Sequence, residues 1–424
     1  MLLKLIWFRL VLTFAFITSI MAPAQAGFGP SLVFDATTGE VLVENRAGEP
    51  WHPASLTKLM TAYVTFRTIR QGRLSVDQKL SVSPHAAKRP PSKIGLRAGT
   101  QVSVDFALKS ILIHSANDMA VVLAEGIAGS VPDFAAEMNA QASRLGMTGT
   151  RFVNPHGLHH DSQVTTARDM GILATTILNE FPQYKRYFNA PNMRVGKRRL
   201  KNRNKLMRTT DWVDGMKTGY LCTSGFNLVA SAKINGKQLV SVALGARSGF
   251  GRDELSRILL EWSGNGAPGS TLRLAKIRNT GGTAKNMRSQ VCKKGPRVTW
   301  GKVSELGGWG VSLGEYKSAY TTDAVLQGRI LTSRKFLSTG KLGVYRSIQP
   351  RHYVALLSQM GQAESLTLCN YLRRHSAHCE VLTPETFTKY LEQRRKITKA
   401  RKKQNFNRSQ KRKKRKKRRK KARN

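Results

Sequence analysis

Three short stretches hold residue types able to do covalent chemistry: PASLTKLM at 53–60, HSAND at 114–118 and MKTGY at 216–220. In the first, Ser55 and Lys58 stand three apart, which on a helix places both side chains on one face about a turn apart. A hydroxyl beside an amine is either a nucleophile with its base or an ordinary polar face, and Ser-x-x-Lys alone does not separate the two. Ser115-Ala116-Asn117 interrupts a helical pattern, where Ser115 could equally be a helix cap. Lys217-Thr218-Gly219 sits just before two β-rich runs, and Gly219 would let a substrate backbone lie close to a strand edge. The motifs follow one another with about sixty and then about a hundred residues between them. That ordered set, more than any single motif, points to nucleophilic catalysis.

The elements that must position these residues can be read from pattern. SLVFDATTGEVLVENRAGE, from 31, reads as a hairpin. A helix follows from Ala54 with Gly72 as its stop signal. Residues 102–128 carry two helical patterns broken at HSAND. GFNLVASAKINGKQLVSVALGA is two β-rich runs joined by Ile-Asn-Gly-Lys, a strong hairpin signal, and RDELSRILLEWSG closes this unit as a helix near Gly264. Strands at both ends with helices between them predict an α+β layer structure with an antiparallel sheet flanked by helices.

Residues 264–306 (GNGAPGS, GGTAKN, KKGPR) are rich in Gly, Pro and Lys and read as a linker. A second unit, 307–385, repeats a strand-helix-strand pattern twice and predicts a small α+β domain. From 386 onward a basic tail is expected to be disordered, because the block KRKKRKKRRKKAR at 411–423 repels itself and buries nothing. That tail contributes heavily to a formal charge of +46 over 424 residues. At the other end, MLLKLIWFR, an apolar run and Ala24-Gln25-Ala26 read as a signal peptide over 1–26. The expected location is therefore outside the cytoplasm, periplasmic or attached to the envelope, where disulfides are permitted. The four cysteines, Cys222, Cys292, Cys369 and Cys379, allow three pairings. Cys369 and Cys379 are the nearest pair and could bridge a helix to a following strand; Cys222 reads as an apolar packing residue.

Ser-x-x-Lys, Ser-x-Asn and Lys-Thr-Gly in this order resemble the signature of penicillin-binding proteins and serine β-lactamases. FDATTGEVL, HPASLTKLMTAY, ILIHSAND, GMTGTRFVNPHGL, TTARDMG and DGMKTGY make residues 28–263 similar to the D-alanyl-D-alanine carboxypeptidases of the low-molecular-mass penicillin-binding proteins. The resemblance implies that Ser55 is acylated by a peptidoglycan stem peptide or a β-lactam, with Lys58 as general base and Ser115 as proton relay. It assigns Asn117 to the substrate amide, Lys217, Thr218 and Gly219 to the substrate carboxylate and strand edge, and Arg252 to that carboxylate. It makes the backbone N–H groups of Ser55 and Tyr220 the oxyanion hole. No cofactor or metal is required. Asp118 reads as a turn-structuring residue, and His156, His159 and His160 as a loop beside the site. A class A β-lactamase would need a carboxylate shortly after Ser-x-Asn, and TRFVNPHGL offers none; a D,D-endopeptidase cleaving crosslinks shares the core motifs and stays open as the alternative.

The second unit resembles a SPOR domain through its doubled layout and through WGVSLGEY and YVALLSQMG, which implies binding to glycan strands. For the tail, export separates it from nucleic acid and leaves anionic envelope surfaces as the expected partner.

Overall fold

The computed structural model describes residues 29–292 and 298–397, with 399, 400 and 403. The signal-like segment at 1–26 and the block at 411–423 lie outside the described residues.

The first unit is the expected α+β structure. Its antiparallel sheet has the spatial order Val41–Asn45, Ser31–Asp35, Lys237–Ala246, Gly225–Ile234, Lys217–Leu221. The two long central strands form the hairpin read from Asn235-Gly236: Ile234 pairs with Lys237, and both turn residues have positive φ, as a two-residue turn of this hand requires. Because each strand alternates its side chains, one face of the sheet packs on the helix Gly249–Gly264, while the other meets the helical body that forms the main core. At the centre of that body lie the helices Thr57–Arg70 and Asn117–Ala128, both buried over most of their surface. Burial on nearly every side marks both as core helices.

Residues 265–292, read above as a linker, are laid against the first unit. Val41 N–H donates to Leu272 O (2.9 Å), Thr280 N–H to Gly48 O (2.9 Å), and Met287 N–H to Thr223 O (2.9 Å). Leu274, Met287 and Val291 are buried in the main core. The apolar residues come singly among glycines and lysines, so composition hides that each one fills a gap. This strap ends at Cys292, which is disulfide-bonded to Cys222, and Cys222 is thus a crosslinked residue rather than a simple packing one.

The second unit is a four-stranded antiparallel sheet in the order Lys341–Arg346, Tyr353–Met360, Trp309–Tyr316, Glu380–Leu382. The helices Ala319–Ser333 and Gln362–Arg374 enclose its core, and Cys369 is bonded to Cys379, joining helix to strand as the spacing suggested. The unit docks on Gly249–Gly264: Ile258 is buried in its core, and Trp262 Nε1 donates to Tyr371 Oη at 3.1 Å.

The expectation of disorder from 386 is corrected over its first dozen residues. Residues 384–397 are helical. Thr383 Oγ1 accepts from Thr386 N–H at 3.2 Å, starting the helix, and Phe387, Tyr390 and Leu391, spaced for one helical face, pack on Tyr345, Val354 and Leu356 of the sheet. The unpatterned charge run begins only beyond this apolar stripe.

Asp169, in the first turn of the helix Ala167–Glu180, ties the strap to the body. Its fully buried carboxylate accepts from Gly149 N–H (2.8 Å), Thr150 Oγ1 (2.7 Å), Arg168 Nη1 (2.8 Å) and Asn279 Nδ2 (3.1 Å). Removing it leaves buried donors unpaired. In urea denaturation, Asp169→Ala should lose roughly 3 to 5 kcal/mol of stability, and the strap should become cleavable by protease under native conditions; a loss below about 1 kcal/mol would refute the assignment.

Candidate active site

The local backbone around Ser55 is shaped by two close approaches. Ala54 has φ +48, an uncommon value for a residue with a Cβ, and its carbonyl is pressed by Gly157. A Cβ on Gly157 would lie 1.9 Å from Ala54 O, so only glycine fits there. From this turn the chain enters a 3₁₀ segment, Ala54–Leu56, and then the helix Thr57–Arg70. Ser55 and Lys58 therefore share a face, and Lys58 Nζ lies 3.0 Å from Ser55 Oγ.

Lys58 is fully buried. Its ammonium also reaches Asn117 Oδ1 (2.8 Å) and His156 O (2.5 Å). Burial, reinforced by the charge of Lys217 and opposed by Asp118, holds its pKa well below the ordinary lysine value. Three acceptors aim the amine, yet none is an ion-pair partner within bonding distance, so little compensates the lost hydration.

Ser115 occupies a left-handed position, φ +67, between the π-helical turn Ser110–His114 and the helix Asn117–Ala128. That break, visible in the sequence at HSAND, turns Ser115 toward the cleft while Asn117 begins the next helix. Asn117 uses both ends of its amide, accepting from Lys58 and donating to Pro90 O at 2.9 Å. Asp118 accepts from Ile94 N–H (3.0 Å) and Gly95 N–H (2.9 Å), which is the structuring role expected of it: it holds the 90–95 loop over the site.

The third motif lies on the sheet's edge strand. Lys217 is buried beneath the cleft and donates to Ser115 Oγ (3.0 Å) and Thr218 O (2.9 Å). Burial, with the charges of Arg203 and Arg252, lowers its pKa to about 7. Gly219 meets the turn that carries Ser55: a Cβ there would lie 2.9 Å from Pro53 O and 3.2 Å from Ser55 N. The glycine allows the strand edge to close against the turn that carries Ser55.

Ser55, Ser115, Asn117, Thr218, Gly219, Tyr220 and Arg252 line one cleft of about 550 Å³, with Lys58 and Lys217 buried beneath it. Arg252, in the first turn of Gly249–Gly264, is held by Asp253 through two hydrogen bonds of 2.8 and 2.5 Å. His156 contributes its carbonyl only; its ring is buried, with a pKa lowered to about 3, and Nδ1 accepts from Leu158 N–H. Arg203, Lys205, Phe226 and Phe250 also line the cleft and were not singled out in the sequence. The two cations are hidden inside the charge run KRRLKNRNK, where nothing marks two members as facing a cavity.

A hydroxyl hydrogen-bonded to a buried amine, a second hydroxyl bonded to another buried amine, and cations lining the same cleft are the groups that serine acyl transfer on an anionic substrate would need. The chain matches the family described as D-alanyl-D-alanine carboxypeptidase, peptidase S11, over residues 19–248, and belongs to that family. It is 36% identical over 247 residues to the D-alanyl-D-alanine carboxypeptidase DacD of Salmonella typhimurium, a match spanning 57% of this chain and 63% of that protein's length. Penicillin-binding protein 5 of Haemophilus influenzae is similar in structure, with a TM-score of 0.55 and 34% identity over 57% of this chain and 72% of the other. Penicillin-binding protein D2 of Listeria monocytogenes, in a cefotaxime-bound form, matches with a TM-score of 0.51 and 30% identity over 57% of this chain and 98% of the other.

The buried lysines make stability depend on pH in a defined direction. Between about 7, where folded Lys217 deprotonates, and about 10.5, the ordinary lysine value, the unfolded chain binds one more proton at this position, so stability rises with pH. The stability difference between wild type and Lys217→Met should therefore shift in favour of the wild type by up to about 1.4 kcal/mol per pH unit across that window. Parallel curves in denaturant titrations from pH 7 to 10 would show that Lys217 keeps an ordinary pKa.

Proposed function

We propose that the protein is a serine-type D-Ala-D-Ala carboxypeptidase that removes the terminal D-alanine from peptidoglycan stem peptides. The observation carrying this reading is the 3.0 Å contact between Ser55 Oγ and the fully buried Lys58 amine, whose pKa is lowered by burial first and by the charge of Lys217 second. In the neutral form Lys58 takes the Ser55 proton as Oγ attacks the carbonyl of the penultimate residue. The developing oxyanion is received by the backbone N–H groups of Ser55 and Tyr220, each such donor supporting roughly 3 to 4 kcal/mol of transition-state stabilisation. Ser115, held by Lys217, relays that proton from Lys58 to the leaving amine of D-alanine, which returns Lys58 to its neutral form. Asn117 binds the substrate amide, and Lys217, Thr218 and Arg252 hold the terminal carboxylate. Water then hydrolyses the acyl-enzyme: Lys58 accepts a proton from the attacking water and returns it to Ser55 Oγ as the ester bond breaks. A β-lactam would acylate the same Ser55, in keeping with the cefotaxime-bound form of the Listeria relative.

The second unit is proposed as a SPOR-like module that keeps the enzyme on glycan strands, supported by its doubled β-α-β layout and four-stranded antiparallel sheet. The basic tail is proposed to add attraction to an anionic envelope surface, the protein being exported and periplasmic or envelope-bound.

Labelling with a fluorescent penicillin should give one covalent adduct in the wild type and none in Ser55→Ala. Lys58→Met should slow acylation by on the order of 10² to 10⁴-fold. A label that persists in Ser55→Ala would remove the mechanism, and faster cleavage of a crosslinked dimer than of a pentapeptide would reassign the protein as a D,D-endopeptidase.

The acylation rate should rise with pH as Lys58 loses its proton and fall as Lys217 loses its charge near pH 7. A pH–rate profile for the peptide that climbs steadily to pH 10 would show that the Lys217 charge is dispensable.

A further inference from the structure

Tyr220 stands at the mouth of the cleft with 46% of its surface exposed, yet its side chain is held on two sides. Its ring stacks on Phe226, with 4.2 Å between centroids and 27° between planes. Its hydroxyl lies 3.3 Å from Cys292 Sγ. Cys292 is in that place only because the strap is docked: Met287 donates to Thr223 O, Met287 and Val291 are buried in the main core, and Cys292 is bonded to Cys222, two residues beyond Tyr220. An exposed tyrosine without such neighbours would sample several rotamers and would have to be ordered by each arriving substrate.

Tyr220 is also the start of an apolar wall. Phe226 and Phe250, the latter 57% exposed, line the same cleft, whose other lining includes the cations Arg203, Lys205 and Arg252. A cleft with an aromatic wall and a cationic rim fits a peptide that presents an apolar segment together with carboxylates.

We propose that the Cys222–Cys292 crosslink is a positioning device: it holds the strap so that the Tyr220 side chain is pre-set as the aromatic wall of the substrate cleft, governing substrate affinity and leaving the chemical step alone. This rests on the carboxypeptidase reading above. It concerns the Tyr220 side chain, whereas the proposed oxyanion contact uses only its backbone.

The test is steady-state kinetics of the full chain on a pentapeptide ending in D-Ala-D-Ala, alongside the rate of penicillin labelling. The paired Cys222→Ser, Cys292→Ser variant should raise KM by about 5 to 10-fold with kcat within about 2-fold of wild type, the pattern of lost uniform binding. Tyr220→Ala should raise KM by a similar factor with the disulfide intact, and adding it to the serine pair should add little, because both changes remove one wall. Tyr220→Phe keeps the stack on Phe226 but loses the hydroxyl contact with Cys292, and should raise KM by less than Tyr220→Ala does. An unchanged KM in both the serine pair and Tyr220→Ala overturns the proposal, as does a fall in kcat at constant KM or effects that multiply in the combined variant. Should the serine pair fail to fold, Tyr220→Ala decides by the same criterion: a raised KM supports the wall and an unchanged KM overturns it. A wild-type protein that labels with penicillin but releases no D-alanine overturns the substrate reading, and the labelling rates of the variants then decide the wall. One that neither labels nor hydrolyses overturns both.

Discussion

Two lysine amines are buried beneath one cleft, and much of the first unit is arranged around that constraint. An ammonium group removed from water loses several kcal/mol of solvation unless it is paired or sheds its proton. Among the described residues neither Lys58 nor Lys217 has a carboxylate within hydrogen-bonding distance; their bonds go to hydroxyls, an amide oxygen and backbone carbonyls. The unfavourable solvation is expressed as lowered pKa values, and a lowered pKa is what turns a lysine into a base able to act near neutral pH. The cost is carried by a core that buries two central helices on nearly every side and fixes the strand edge against them.

Geometry then divides the labour among elements far apart in the chain. The helix supplying Lys58, the helix break supplying Ser115 and the edge strand supplying Lys217 converge because Gly157 and Gly219 permit backbone approaches that no side chain would allow. Arg252 reaches the same cleft from the helix on the opposite face of the sheet, and that helix also receives the second unit. Catalytic cleft, strap and second unit thus share one supporting scaffold. The second unit's sheet is itself enclosed, with the two helices on one face and the 384–397 helix packed on the other.

Where residues act through local spacing, the sequence was a good guide. Ser55 and Lys58 share a face by helical geometry alone, the Asn235-Gly236 hairpin follows from its turn residues, and Cys369 meets Cys379 across ten residues. Thr383 and the stripe Phe387, Tyr390, Leu391 also carried a legible helix signal, masked by the charge that follows. Pairings of long sequence separation were not legible. Cys222 and Cys292 are seventy residues apart, and four cysteines do not select their own partners. The strap looked like a free linker because its buried residues come one at a time.

The order of three short motifs was enough by itself to point to the family and to single out the Ser55–Lys58 pair, since those depend on residue identity and on spacing within one turn or one strand. Only the tertiary structure decided that the amines are buried, that Arg203, Lys205 and the aromatic residues face the cleft, and that a Gly-rich strap is bonded beside it. Burial, electrostatic coupling and long-range crosslinks are properties of neighbours in space, and a linear pattern specifies them only once the chain has closed around them.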